Sequence, residues 1–217
     1  MRYLVFVFIL LSSFLTSAEP VNLALLKQQI EQYQQSGEYL QEVDKVISKA
    51  HSYLQKVITL NNKKAHPGKL ALVLDIDETS LTNFSKIKAR GFCNLKNSIH
   101  QEILAADSPA LKPTLNLYNY ALKNNVKVFF VTGRDTSEKE ATIKNLHMAG
   151  YHKWSEIYFK PMDYHSASII PFKSSARKKI TEMGYTIVES IGDQYSDIRG
   201  GYTMCGFKLP NPFYFIA

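Results

Sequence analysis

The sequence predicts an α/β fold: a Rossmann-like parallel sheet with helices on both faces, an N-terminal helical extension and a small cap insert after the first strand. Three observations predict it. Beyond residue 69, short apolar-rich runs alternate with helix-period segments, the pattern of βαβ units. The first run, Lys69 to Leu74, is apolar without alternation and ends in acids, as a strand buried on both faces does. Residues 81–113 break the alternation and read as an insert over the carboxyl edge of the sheet. That edge is where open α/β sheets bind ligands.

The elements follow in order. Residues 1–18 have Arg2, an apolar run from Tyr3 to Leu15 interrupted by Ser12 and Ser13, and the small residues Thr16-Ser17-Ala18. This is a secretory leader pattern, short of the roughly 20 apolar residues a membrane span needs. Cleavage near Ala18 and a periplasmic or secreted protein are expected. With no Cys at the cleavage site, no stable membrane anchor is expected. Residues 19–68 form the helical extension and a linker. Leu23, Leu26, Ile30 and Tyr33 recur at helix spacing, Ser36-Gly37 interrupts, and Leu40, Val43, Ile47, Ala50, Leu54 and Val57 resume. Two helices packing on the following domain are predicted. Pro67-Gly68 marks the linker.

The α/β domain occupies residues 69–217. Further strands are predicted at Val126–Val131, Glu156–Phe159 and Thr186–Ile191, with a weaker fifth at Met204–Phe207. Between them, Leu115, Tyr118 and Leu122 share a helix face. Asp135-x-x-Glu138 is a capping box for a helix that stops at Gly150. A last helix, Ser175 to Met183, stops at Gly184. Trp154, just before the third strand, reads as packing.

Composition narrows the class. The 217 residues are 45% hydrophobic and 21% charged, which excludes a disordered, collagenous or wholly coiled-coil chain. Lys and Arg outnumber Asp and Glu by 26 to 19, a net charge of +7; without Arg2 the balance is 25 to 19, or +6. The basic residues form no recognition motif, so the surplus fits a surface that draws anionic small molecules better than a nucleic-acid module. Two cysteines, Cys93 and Cys205, are too few for a Cys₄ zinc site; in an exported protein they either pair or stand as separate thiols.

The chemistry sits at the strand ends. The first strand runs into Asp75-Ile76-Asp77-Glu78-Thr79, the second into Thr132-Gly133-Arg134, and the fourth into Gly192-Asp193-Gln194-Tyr195-Ser196-Asp197; Lys173 opens the helix before the fourth. A carboxylate nucleophile splits phosphoester hydrolysis into two displacements. Asp75 is placed for attack, and Asp77 for proton transfer to the leaving group and from water. Oxygen ligands from Asp75 and Asp193 suit a hard dication such as Mg²⁺. Thr132 and nearby backbone N–H groups, with Lys173, suit the phosphoryl oxygens, and Asp197 would orient Lys173 or a metal-bound water. Arg134 would line the phosphate or pair with Glu78. Arg177, one turn after Lys173, reads as a surface or Asp-pairing residue. Phe84 and Phe92 are candidate cap residues, stacking on an aromatic leaving group or forming the cap's own core. A DxD alone also fits a sugar-nucleotide transferase, which would leave Lys173 and Asp197 without a role.

Together these segments resemble the haloacid dehalogenase superfamily, and within it the four-aspartate acid phosphatases: the bacterial class B and class C enzymes and the plant acid phosphatase and vegetative storage protein family. LVLDIDETSLTN, PFKSSARKKI, GDQYSDI and FKLPNP carry the likeness, over roughly residues 69–214. The resemblance implies an Mg²⁺-dependent acid phosphatase acting on small phosphomonoesters, nucleoside monophosphates among the candidates. It implies Asp75 as nucleophile, Asp77 as acid/base and Thr132, Gly133 and Lys173 at the phosphate. It implies Asp75, Asp193 and the Asp77 carbonyl at the metal, with Asp197 behind them. Some plant storage members lack the nucleophile; here Asp75 is present. A storage or binding protein of the same fold with weak or no activity is the alternative.

Overall fold

The computed structural model describes residues 19–216; the leader expected at 1–18 lies outside them. The elements are α1 (Leu23–Gln35), α2 (Glu38–Asn62), β1 (Lys69–Leu74), α3 (Phe84–Ala89), α4 (Lys96–Leu104), α5 (Lys112–Lys123), β2 (Lys127–Asp135), α6 (Lys139–Met148), β3 (Glu156–Lys160), α7 (Ile170–Glu182), β4 (Tyr185–Gly192) and β5 (Cys205–Lys208). Short 3₁₀ turns at Thr136–Glu138 and Tyr195–Asp197 follow β2 and β4.

All five strands are parallel, in the order β3-β2-β1-β4-β5. The chain builds outward from β1 to β3 on one side, then returns to place β4 and β5 on the other. The switch point, where such sheets open a crevice for ligands, therefore lies between the tips of β1 and β4. Leu70, Leu72 and Leu74 of β1 pack with Val128 and Phe130 of β2 under α2, α5 and α6. Ala71 and Val73 face the other way, with Phe129 and Val131, under Ala176 and Ile180 of α7. Burial on both faces explains why these strands read as nearly continuous apolar runs.

In α2 the buried stripe is Tyr39, Val43, Ile47, Ala50, Leu54 and Ile58. It differs from the predicted stripe at both ends: Leu40 is exposed and Tyr39 is buried in its place, and Ile58 lies deeper than Val57. The Tyr39 ring packs against Phe213, 5.2 Å between centroids. Helix α1 is peripheral. Leu23 and Leu26, predicted to pack, are exposed, and only Ile30 and Tyr33 reach the core. Gly37, at φ 84°, makes the left-handed turn between the two helices.

The stretch 81–113 leaves the sheet through a narrow neck. Thr82 N–H donates to the Pro109 carbonyl and Leu111 N–H to the Ser80 carbonyl, each at 2.9 Å. Between these ties lie α3 and α4. The Asp135 capping box forms as predicted, Asp135 N–H donating to Glu138 at 3.0 Å and Ser137 N–H to Asp135 at 2.9 Å. His100 of α4 reaches Glu138 at 3.0 Å, seating the cap on that turn. Trp154 packs on Phe130 and His147. Cys93 and Cys205 are both free thiols, so the pairing alternative is not realised.

One buried acid stands apart from the sheet edge. A bulge in the pairing of β1 with β4 skips Val188, setting Leu72 opposite Glu189. The skip keeps Val188 and Ile191 on the α2 face and turns Glu189 toward Tyr53 and Cys205. Its side chain is buried, and neither carboxylate oxygen has a hydrogen-bond partner among the described residues. Burial pushes its pKa up to about 8. The folded state thus keeps a proton that an unfolded Glu, near 4.3, gives up, so this group's contribution to stability falls as pH rises through that window. Glu189→Gln removes the dependence. In thermal melts, the excess of the variant's Tm over that of wild type is expected to grow from pH 5 to pH 8; a constant difference would contradict the assignment.

Candidate active site

Four segments converge at the carboxyl edge. Asp75 stays in the ladder, its N–H donating to the Ile191 carbonyl at 2.9 Å, while its own carbonyl accepts from the Ser80 hydroxyl at 2.6 Å. The chain then turns sharply. The Ile76 carbonyl accepts from the N–H groups of Ser80 and Leu81, both at 2.9 Å, and Glu78 takes a left-handed φ of 49°. Such a conformation in a buried non-glycine residue costs free energy and persists only where its surroundings fix it. Here Glu78 accepts from Asn83 N–H at 2.5 Å and the Asn83 side-chain amide at 3.1 Å. Ile76 is buried, which leaves Asp75 and Asp77 on the cleft side.

Lys173, in the first turn of α7, enters from the opposite face. Its buried ammonium donates to Asp75 Oδ1 at 2.9 Å and to Asp197 Oδ1. Burial opposes its charge, but Asp197 and Asp75 overcome that and hold its pKa up. The second oxygen of Asp197 accepts from Gln194 N–H at 2.9 Å. Gly192 makes this possible, because a Cβ there would lie 2.1 Å from the Asp197 carboxyl carbon. Asp193 accepts through Oδ2 from the amides of Gln194, at 2.8 Å, and Asn211; Thr79 lies 3.5 Å from Oδ1.

Carboxylate oxygens of Asp75, Asp193 and Asp197 lie within 4.8 Å of one another, all three residues buried. Three acids thus face one cation. Burial raises the pKa of Asp75 well above the ordinary range; Lys173 pulls it down, while Asp197, Asp193 and Asp77 add to the rise. Burial and the Asp197 charge raise Asp193 to about 6. Such a cluster either takes up protons or takes up a cation. The donor set is all oxygen, which fits a hard divalent ion. Both oxygens of Asp197 are occupied by protein donors. Asp75 Oδ2, by contrast, accepts no hydrogen bond among the described residues, and Asp193 Oδ1 has only the long contact to Thr79. Asp75 and Asp193 are therefore the residues that can hold the ion.

Asp77 is the most open of the four acids, its side chain 28% exposed. Burial would raise its pKa, but the Arg134 charge and hydrogen bonds from Arg134 and Asn83 outweigh that and hold it low. Arg134 grips it through Nη2 at 2.7 Å and Nε at 3.0 Å, and donates to Thr142 at 3.1 Å. The pairing with Glu78 weighed for Arg134 from sequence is not the one seen: its partner is Asp77, and Glu78 is held instead by Asn83. Arg177 departs too. It is fully buried and donates to the carbonyls of Asp197 at 2.8 Å, Gly201 at 2.9 Å and Arg199, pinning the loop after β4 to α7.

Thr132 is buried, and its Oγ accepts from Arg134 N–H at 3.1 Å, leaving the hydroxyl proton to donate elsewhere. Gly133 lies against Ile169, just before α7; a Cβ would stand 3.2 Å from that side chain. The Phe84 ring packs on Phe92 and on Phe213, with centroids 6.5 and 5.2 Å apart, and both cap rings keep part of their surface exposed. Asn83, Gln194 and Asn211 were not singled out from sequence. Asn83 and Asn211 lie inside the segments LVLDIDETSLTN and FKLPNP, but an amide's partner is set by distant chain.

The family described as HAD superfamily, subfamily IIIB (acid phosphatase) matches residues 16–217. The chain is 36% identical over 159 residues to the stem 28 kDa glycoprotein of Glycine max, covering 70% of this chain and 62% of that protein. It is 31% identical to acid phosphatase 1 of Solanum lycopersicum, over 86% of this chain and 73% of the relative. With vegetative storage protein 1 of Arabidopsis thaliana it shares 27% identity, over 88% and 70%. Among solved structures, the class C acid phosphatase from Bacillus anthracis superposes with a TM-score of 0.66 at 22% identity, covering 88% of this chain and 86% of that one.

The charge arrangement has a testable consequence. Lys173→Met leaves the buried carboxylates without their cation. In metal-free protein at pH 8 the expected loss is about 3–5 kcal/mol, the cost of breaking a buried pair, or roughly 6–20 °C in Tm for a chain of this size. At pH 5 the loss shrinks, because Asp75 and Asp193 take up protons instead. Thermal melts at the two pH values check this, and an equal loss at both would contradict it.

Proposed function

Because the chain belongs to the subfamily IIIB acid phosphatases of the haloacid dehalogenase superfamily, we propose that it hydrolyses small phosphate monoesters with Mg²⁺ through an aspartyl-phosphate on Asp75. The observation that carries the proposal is the meeting of Asp75, Asp193 and Asp197 around the buried Lys173 at the sheet's switch point.

In this reading the ester's phosphoryl group lies between Asp75 Oδ2, the Thr132 hydroxyl, the backbone at Gly133 and Lys173. The Thr132 hydroxyl, the backbone N–H groups at Gly133 and the Lys173 ammonium are the donors that face the oxygens where negative charge builds. Asp75 attacks phosphorus, and the bond to the leaving oxygen breaks as Asp77 delivers a proton to it. In the second step Asp77 takes a proton from water while the water oxygen attacks phosphorus, releasing phosphate and restoring Asp75. Asp197 holds Lys173 in place throughout. Mg²⁺, held by Asp75, Asp193 and the Asp77 carbonyl, supplies positive charge that keeps the acids ionised and offsets the phosphoryl charge. The partly exposed rings of Phe84 and Phe92 offer an apolar wall to the leaving group.

The resting state of Asp77 bears on pH. Arg134 and Asn83 hold it ionised, yet the first step needs it protonated. A phosphate monoester has its second ionisation near pH 6, so the monoanionic ester carries in the proton that Asp77 passes on. The value of kcat/KM should therefore fall as pH rises above about 6.

Export is part of the proposal. It is supported by the leader pattern at 1–18 and by relatives named as glycoproteins. No helix among the described residues is long and apolar enough to cross a membrane. The vegetative storage protein relatives favour a second reading, a storage protein with residual activity. Turnover of p-nitrophenyl phosphate with Mg²⁺ at pH 5–6 separates the two. Wild type should release phosphate, and both EDTA treatment and Asp75→Asn should reduce release by at least about 100-fold, the low end of what catalytic groups contribute, with the far-ultraviolet circular dichroism unchanged. Full turnover by Asp75→Asn would sink the mechanism; an inactive, folded wild type would favour storage.

A further inference from the structure

Asn83 is the N-cap residue of α3, and asparagine is among the best N-caps because its side chain accepts from the helix's free N–H groups. Here it makes no such bond. Its side-chain amide nitrogen donates instead to Asp77 Oδ1 at 2.8 Å and to Glu78 Oε2 at 3.1 Å. Its side-chain oxygen accepts from the Ser108 hydroxyl at 2.6 Å. Two carboxylates on one side and a hydroxyl on the other fix the orientation of the amide.

Ser108 is itself held from two directions. Its backbone exchanges hydrogen bonds of 3.1 and 2.7 Å with the side chain of Asn145 on α6. Its hydroxyl accepts from Lys86 of α3 at 3.0 Å, and Lys86 also binds the Glu102 carbonyl at 2.8 Å and Asp107 at 2.5 Å. One connected path therefore runs from the α6 scaffold and both arms of the cap, through Ser108 and Asn83, to Asp77. Arg134 grips Asp77 from the sheet side and Asn83 from the cap side.

We propose that Asn83 is a positioning residue: it sets the direction in which Asp77 presents its carboxylate and makes that direction depend on the cap being seated through Ser108. The inference rests on the reading of Asp77 as proton donor to the leaving group. Loss of the amide leaves Asp77 bound to Arg134 alone and free to swing toward it. Proton delivery then suffers, while the attack by Asp75 does not.

Leaving groups report this selectively. An alkoxide leaves only with a proton, whereas p-nitrophenolate leaves without one. The test compares kcat/KM for glycerol 2-phosphate and p-nitrophenyl phosphate, with Mg²⁺, in wild type, Asn83→Ala and Ser108→Ala. General acid catalysis contributes about 10²–10⁴-fold, and Asn83→Ala is expected to lose roughly 10–100-fold of it on the alkyl ester. The loss on the aryl ester should be under about 3-fold, since kcat/KM reports the first step and p-nitrophenolate leaves there without a proton from Asp77. Ser108→Ala should shift the ratio the same way by less, and it carries the test if Asn83→Ala does not fold. Equal losses on both esters, with wild type active, would overturn the inference alone. A wild type inactive on both would overturn the phosphatase reading and the inference with it.

Discussion

Lys173 is a buried cation between two buried carboxylates, and a third stands beside them with no cation of its own. Burying charge is costly unless it is paired, so this imbalance constrains everything around it. The tips of β1 and β4 must come together to bring Asp75 and Asp193 within reach of one ion. Helix α7 must start beside them to deliver Lys173, and Arg177 fastens the loop carrying Asp197 to that helix. Gly192 must lack a side chain for Asp197 to fold back. The C-terminal segment closes the set by placing the Asn211 amide on Asp193. These features surround three buried carboxylates that face one buried ammonium.

Asp77 is handled differently. It is the most open of the four acids and the only one paired with an arginine, and it touches the cap through Asn83. The surroundings of Asp75 are made by the sheet, and those of Asp77 by the junction of sheet and cap.

Much of this was legible in the sequence. Strands buried on both faces write themselves as apolar runs, so KLALVL could be placed from composition alone. Acids at successive strand ends located Asp75, Asp77, Asp193 and Asp197, because parallel strands bring their carboxyl ends to one edge. Long polar side chains were harder. The partner of Arg134 was missed because a guanidinium chooses among carboxylates by distance, and the left-handed turn at Glu78 moves that side chain to Asn83. Arg177 reads from sequence as a surface or Asp-pairing residue, yet it is buried and finds three backbone carbonyls in a loop 20 or more residues away, a set of partners no local pattern announces. At the start of α2, Tyr39 rather than Leu40 is buried, because an aromatic partner, Phe213, waits near the other end of the chain.

The central claim is that Asp75, Asp193 and Asp197 face one ammonium, Lys173, and would take up a divalent cation in exchange for protons. Ligands that must lose protons to bind a metal release them on binding. Calorimetric titration with Mg²⁺ at pH 6, in two buffers of different ionisation enthalpy, measures that release directly. The account predicts binding with net proton release, both lost in Asp193→Asn. Binding with no proton release, or no binding by the folded wild type, would contradict it.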